Sequence, residues 1–508
     1  MYSGLRSIGG VVATVTRGRD RVVFEIGAAY DPATDFYTGG LGPRPEGWLR
    51  DGLRLGLVPW IDGLYPAAAL DGLEGIVPAE DSDLNTAVFV SHLHLDHMAY
   101  MGAVHRDIPV YLSPNGQRIE AALEETGDGV RGWRDSYTAF TPGEPIAVGQ
   151  IELLPLVSFT PAYGHSSCLI TTPEGSLHWT GDLVMQRPEE LANRLRDIEL
   201  FRRRGGLDVL ICDCTEFSDE AAIAACSDGS GAIVPSLDLP VGWESFPAMA
   251  AGRRRALAEV EGLAAFNFYP REMEDVEMLV ELGGLTGREV VFEPDAAWLV
   301  GRYFGTWPKY YVPDAARYAD WPGVEAGRAG LAREAGQAEQ AGRAWRPGRA
   351  GEAWQARLAR EAERVTRQMV ARDPARYLLQ IGYPHLLELF DLPSAGGAYL
   401  QMGGVPMYDG DPNHARMVEL AGRAGFRYVK FDDHMNMRHS PPSMVRHYVD
   451  AIDPRVLIPA HGANPERLAA KSGRWFQPEY GVVYRLAEGD LVPVQDADLV
   501  ADPIADPA

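Results

Sequence analysis

The chain has 508 residues, 46% of them hydrophobic, four cysteines and a formal net charge of −24. That length predicts two or three domains around a large core, and the acidic balance argues against general nucleic-acid affinity while leaving a local basic cleft open. No apolar run approaches the roughly 18 residues of a membrane span, and the N-terminus lacks a signal-peptide pattern, so a cytoplasmic protein without a membrane partner is expected.

In chain order, the segments GVVATVT and RVVFEIG flank the polar RGRD and predict a strand, a turn and a strand. NTAVFVS predicts a further strand running into a histidine cluster. VYLS, IELLPLV, CLITT, LHWTGD and LDVLICDCT follow, with helical stretches such as NGQRIEAALEE between some of them. This alternation predicts an α/β sandwich. Residues 315–373 are rich in Ala, Gly, Arg and Glu and read as an insertion whose second half is helical. There Arg357, Arg360, Arg364 and Arg367 are expected on one helix face, either solvated or as a phosphate-binding ridge. The arginines of 202–204 and 253–255 are read as surface clusters or, alternatively, phosphate contacts, and Phe201, Phe266, Phe268 and Tyr269 as core aromatics or, alternatively, base-stacking residues. Cys168, Cys212, Cys214 and Cys226 form no C-x-x-C pair and are expected to be buried thiols. The last dozen residues form an acidic tail.

The chemistry concentrates in VFVSHLHLDHMA. His92 and His94 alternate along an extended chain, which lets both point the same way, and Asp96 and His97 follow after a turn. Imidazole nitrogens and carboxylate oxygens are ligands suited to zinc, and a mixed set is typical of catalytic sites.

The pattern H-x-H-x-D-H resembles the metallo-β-lactamase superfamily. YGHSSCLI, LHWTGDL and VLIPAHG continue the resemblance by supplying His165, Asp182 and His461 at strand boundaries. The resemblance implies one metal on His92, His94 and His165, a second on Asp96, His97 and His461, and Asp182 bridging them. Two divalent ions, zinc or alternatively manganese, would hold a hydroxide as nucleophile. Glu25 stands where the family usually has an aspartate that orients the histidine loop.

The long stretch between Asp182 and His461 resembles the layout of the β-CASP nucleases, ribonuclease J among them. In these an αββα metallo-β-lactamase sandwich is interrupted by an α/β cap. The resemblance implies a first sandwich segment over 1–225, a cap over 226–430, a return segment over 431–495 and a tail over 496–508. By the same resemblance Asp96, Asp213 and His439 are catalytic, with Asp213 ending the LDVLICDCT strand and His439 in RHSPPS. Ser440 and Pro441 read as an N-cap and first helical residue, placing His439 beside a helix start. His434 in FDDHMNM is the rival for that role. Pro441 and Pro442 lack N–H groups where ribonuclease J offers backbone donors to a terminal phosphate.

Three functions are carried forward. The first is a phosphodiesterase acting on RNA, with single-stranded DNA as a further substrate. The second is a hydrolase of a small ester, lactone or phosphodiester using the cap as a lid, and the third a non-catalytic β-CASP scaffold. A homo-oligomer is compatible with each.

Overall fold

The structure, a computed structural model, describes residues 1–30, 36–37, 41–132, 134, 136–158, 164–185, 188–218, 246–314, 318, 321, 351–406, 410–430, 439–471 and 474–494. His434, Cys226, the tail and most of the Ala/Gly/Arg insertion lie outside them.

The first sheet is β1 (Ala13–Arg17), β2 (Asp20–Phe24), β3 (Asn85–Phe89) and β4 (Val110–Tyr111), in that order. β1 pairs antiparallel with β2, and the rest is parallel. A second sheet begins with β5 (Ile146–Val148), β6 (Ile151–Val157), β7 (Ser166–Thr172), β8 (Gly175–Trp179) and β9 (Val209–Asp213). Alternate residues of both sheets meet in one core: Val22, Phe24 and Phe89 from the first, Leu153, Ile170 and Ile211 from the second. The opposite faces carry helices. Val23 and Val88 share a core with Ile119 and Leu123 of helix Pro114–Thr126. Leu169, Leu210 and Cys212 share another with Ile198 and Phe201 of helix Pro188–Arg203. Helix, sheet, sheet and helix are therefore stacked, the αββα order expected from the sequence.

The chain then builds a separate seven-stranded parallel sheet: β10 (Ala264–Asn267), β11 (Glu289–Phe292), β12 (Lys309–Tyr311), β13 (Arg364–Val365), β14 (Tyr377–Gln380), β15 (Ala398–Gln401) and β16 (Arg427–Lys430). Their spatial order is β13-β12-β11-β14-β10-β15-β16. Both faces are covered, as parallel sheets require. Ala265 and Leu379 pack with Met417 and Ala421, while Phe266 and Phe292 pack with Val276 and Leu279. The latter core runs on into helix Pro114–Thr126, so the two units share apolar packing.

β17 (Val456–Ala460) returns the chain to the sandwich, pairing parallel with β9 from Val456↔Val209 to Ala460↔Asp213. Helix Pro442–Ile452 precedes it and buries Met444, Tyr448 and Val449 against the second sheet. A hairpin, β18 (Tyr484–Ala487) and β19 (Asp490–Pro493), follows. No helix among the described residues is long and apolar enough to cross a membrane.

Two expectations are corrected. The Arg-rich segment is not one helix: it ends at Glu361, Arg364 lies in β13, and Arg367 opens a new helix with Thr366 as its cap. Pairing of Arg364 and Val365 with Tyr310 and Tyr311 of β12 overrides the helical spacing. Arg357 lies over the rings of Trp298 and Trp307, and Arg367 binds Glu388 and Asp391, so no common ridge forms. The helix before β17 is capped by Pro441 and starts at Pro442, one residue later than the sequence implied. The Ser440 amide instead donates to Leu183 O at 2.7 Å.

Candidate metal centre

The candidate ligands and Asp213 lie at strand ends of the sandwich, and His439 lies just before helix Pro442–Ile452. His92 and His94 follow β3, and His94 caps the single helical turn Leu95–Met98 that carries Asp96 and His97. His165 immediately precedes β7 and Asp182 follows β8, while Asp213 ends β9 and His461 follows β17. The helical turn is stapled from below. Gly10, Ile26 and Ala28 donate backbone hydrogen bonds to the carbonyls of Asp96, His97 and Leu95. Gly27 lies so close that a Cβ there would stand 1.7 Å from Asp96 O. Glu25 and His461 both hold positive φ, 59° and 64°, without being glycine. Such strain persists only where its surroundings fix it.

The side chains converge on Asp182. His92 Nε2 lies 3.2 Å from Asp182 Oδ2 and His94 Nδ1 3.6 Å from the same oxygen. His97 Nε2 and His461 Nε2 lie 2.9 and 3.5 Å from Oδ1, and His439 Nε2 is 3.9 Å from Oδ2. Asp96 Oδ2 stands 3.1 Å from His461 Nε2. The His165 ring stacks on His92 at 4.3 Å between centroids.

The outward nitrogens have their own neighbours. His92 Nδ1 meets Ser91 Oγ at 2.8 Å, His94 Nε2 meets Glu272 Oε2 at 2.9 Å, and His461 Nδ1 meets Thr215 Oγ1 at 2.7 Å. His439 Nδ1 meets Asp213 Oδ2 at 2.7 Å. His97 Nδ1 faces Glu25 Oε1 at 3.7 Å. Glu25 itself accepts hydrogen bonds from the Ser91 amide and the Trp179 indole, and so ties the histidine loop to β8, the orienting role expected of it.

This arrangement fits divalent cations. His92 Nε2 and Asp182 Oδ1 are buried without a hydrogen-bond partner, a costly state that a bound cation relieves. Donor atoms of His92, His94 and Asp182 lie within 4.8 Å of one another, as do those of Asp96, His97 and His461, of Asp182, His439 and His461, and of His94, His165 and Glu272. The electrostatics agree. Burial opposes charge on His97, but Asp182 and Asp96 outweigh it and hold its pKa well above the usual imidazole value. Burial by itself would raise Asp182, yet His97 and His92 hold it well below the carboxylate range. The carboxylates thus create a site that favours positive charge. The His165 pKa falls to about 4 through burial, leaving a neutral, ligand-ready imidazole.

All seven expected ligands are thus gathered, together with Asp213 and His439. Cys212 and Cys214 point away from them into the outer core, as strand alternation required. Glu272 and Thr215 escaped the sequence reading, where Tyr269 reads as a core or base-stacking aromatic. Glu272 and Tyr269 come from the loop after β10, where the Tyr269 ring lies 5.4 Å from that of His94. Thr215 sits two residues past Asp213. The adjacency of Thr215 to the Asp213 strand end was a usable signal, whereas Glu272 had none.

The chain matches no protein-family model, and no curated protein resembles it in sequence. Its fold is shared with a crystal structure of a protein of unknown function from Enterococcus faecalis V583. The two are 21% identical with a TM-score of 0.68, over 97% of this chain and 98% of that one. At that identity the likeness is one of fold. Partial matches include BJP-1, a subclass B3 metallo-β-lactamase of Bradyrhizobium japonicum (12% identity, 41% of this chain, 75% of that one, TM-score 0.24). Another is the metallo-β-lactamase fold protein YhfI from Bacillus subtilis (18%, 42%, 70%, 0.23). Superpositions this low carry no argument by themselves.

Proposed function

We propose that this chain is a metal-dependent hydrolase of metallo-β-lactamase type, acting on phosphodiesters in the manner of the β-CASP nucleases, with RNA as its first substrate class. The observation that carries the reading is the His439–Asp213 pair, 2.7 Å apart, beside the buried Asp182. Asp182 is only 2% exposed, whereas His439 and Asp96 keep 15% and 20% of their side chains open. A scissile group enters between them.

His92, His94 and His165 would hold one cation and Asp96, His97 and His461 the other, with Asp182 between. When bound, such ions polarise substrate oxygens and make water acidic enough to attack at neutral pH. The chain's own residues do the rest. Asp213 is fixed by the Leu183 amide and by Thr215, so it holds the His439 ring with Nδ1 outward and Nε2 facing the cradle. Burial opposes the imidazolium, but Asp213 and Asp182 raise the His439 pKa to about 10. A protonated Nε2 is then positioned to donate to a departing alkoxide. The seven-stranded unit, whose Tyr269 and Glu272 lie beside His94, would serve as the cap.

A second reading, a small-molecule hydrolase with that unit as a lid, is favoured because Arg357, Arg364 and Arg367 do not form the arginine ridge that was one of the two expectations for them. Incubation of zinc- or manganese-loaded protein with end-labelled RNA, single-stranded DNA and a chromogenic phosphodiester separates the two. Cleavage of RNA supports the first reading. Turnover of the chromogenic compound alone supports the second, and inertness with bound metal overturns both.

A further inference from the structure

Five of the clustered histidines present one nitrogen to Asp182, and the partner behind each is supplied by the sandwich in every case but one. Ser91, Glu25, Asp213 and Thr215 belong to the sandwich, whereas Glu272 comes from the seven-stranded unit, after β10 and at the start of helix Met273–Thr286. We propose that Glu272 is a positioning residue for the metal centre, and that it makes metal affinity depend on the seating of the seven-stranded unit. The inference rests on the metal-centre reading above.

The argument starts from the ring of His94. Its Nδ1 faces Asp182 Oδ2, and its Nε2 stands 2.9 Å from Glu272 Oε2, an ordinary hydrogen-bond length. A carboxylate there accepts a hydrogen bond from Nε2–H, which leaves Nδ1 with the lone pair and makes it the ligand atom. An imidazole so held is also a stronger donor. Both groups are buried, at 8% and 7% side-chain exposure, so the pair is shielded from water.

Glu272 does not reach the site alone. Tyr269 accepts the Leu95 amide through its hydroxyl, and Arg271 donates to Leu93 O and pairs with Glu120 at 3.3 Å. Residues 269–272 therefore grip the histidine loop on both sides of His94. Anything that shifts this loop moves the His94 ring, and by linkage a cation on Nδ1 favours the seated loop by the same factor.

The test compares the full-length parent with Glu272→Gln, Glu272→Asp and Glu272→Ala. Zinc affinity is measured by chelator competition, and the cobalt-substituted proteins are compared by visible absorption. Loss of a carboxylate behind a metal-bound histidine weakens binding by about 10- to 100-fold. That loss is expected for Glu272→Ala and Glu272→Asp, which cannot reach Nε2. Glu272→Gln is similar in shape, still accepts the Nε2 proton through its amide oxygen, and should recover most of the affinity. Hydrogen exchange at 269–272 should slow on zinc binding in the parent and not in Glu272→Ala. Unchanged affinity and cobalt spectrum in all three variants, with the parent binding two ions, would overturn the inference and leave the metal centre standing. Complete loss of one ion in Glu272→Gln would make Glu272 a ligand and also overturn it. A parent that binds no metal overturns the metal centre, and this inference with it.

Discussion

An imidazole ring is useful at a metal only if one nitrogen is presented and the other is held, and here the holding groups differ for each histidine. The difference assigns separate effects to separate residues. Asp182→Ala removes the acceptor on which five rings converge, and should lower metal content from about two equivalents per chain and abolish hydrolysis, as read by elemental analysis after reconstitution. His439→Ala should keep both ions, because His439 lies outside the expected ligand sets. It should lose about 10²- to 10⁴-fold in rate on an alkyl phosphodiester, the scale of a general acid. The loss should be much smaller on a nitrophenyl ester, whose leaving group needs no proton. Equal losses on the two substrates would place His439 in substrate binding or in the fold. The candidate ligands were legible in the sequence because H-x-H-x-D-H packs four donors into six positions, and His165, Asp182 and His461 each abut an apolar strand. Glu272 was illegible: nothing in YPREMEDV separates it from its neighbours Glu274 and Asp275, and only the chain's course between two units brings it to His94.

At the scale of elements, the one-turn helix carrying Asp96 and His97 is too short to hold itself and depends on the strand end beneath it. Gly27→Ala should therefore push that turn away from β2. Its cost is expected at about 1–3 kcal/mol, typical of overpacking, in a urea melt of the metal-free protein. Zinc affinity should fall with it, and a variant with full affinity would show that the turn yields without moving its ligands. The strands of the sandwich were readable from their apolar runs, and so was helix Pro114–Thr126, which Ser113 caps as its sequence implies. The Arg-rich segment misled because spacing alone cannot register a partner strand. β12 and β14 were missed for a related reason. The KYY and YLLQ runs, three and four residues long, are too short for periodicity to separate strand from helix, and pairing inside a fully buried parallel sheet decides them.

At the scale of the whole molecule, the two units meet partly through charge, and this has a pH signature. Glu124 lies on helix Pro114–Thr126 with its Oε1 buried and without a hydrogen-bond partner. Burial, then the nearby Glu120 charge, raise its pKa from 4.5 to about 7, against the opposing Arg271. A carboxyl whose pKa is raised on folding binds its proton more tightly in the native state. Its contribution is intact below the unfolded value of 4.5 and is lost as pH rises through 7. Glu124→Gln should thus match the parent at pH 4 and have the higher urea midpoint at pH 8. Identical midpoints at both pH values would show the carboxyl to be solvated in solution.

The parallel register of β9 and β17 also sets an order of events. Asp213 and Ala460 are paired neighbours, yet the chain makes an excursion of 246 residues between them, and closing a loop of that length costs on the order of 5 kcal/mol in chain entropy. His461 reaches Asp182 and Asp96 only after that closure, so the cradle is incomplete until β17 is in place. Cations held in part by His461 would then bind the closed chain and not its precursors. They act as a latch, leaving the rate of closure unchanged and slowing reopening, so that unfolding measured in chelator should outpace unfolding in zinc while the refolding rates coincide.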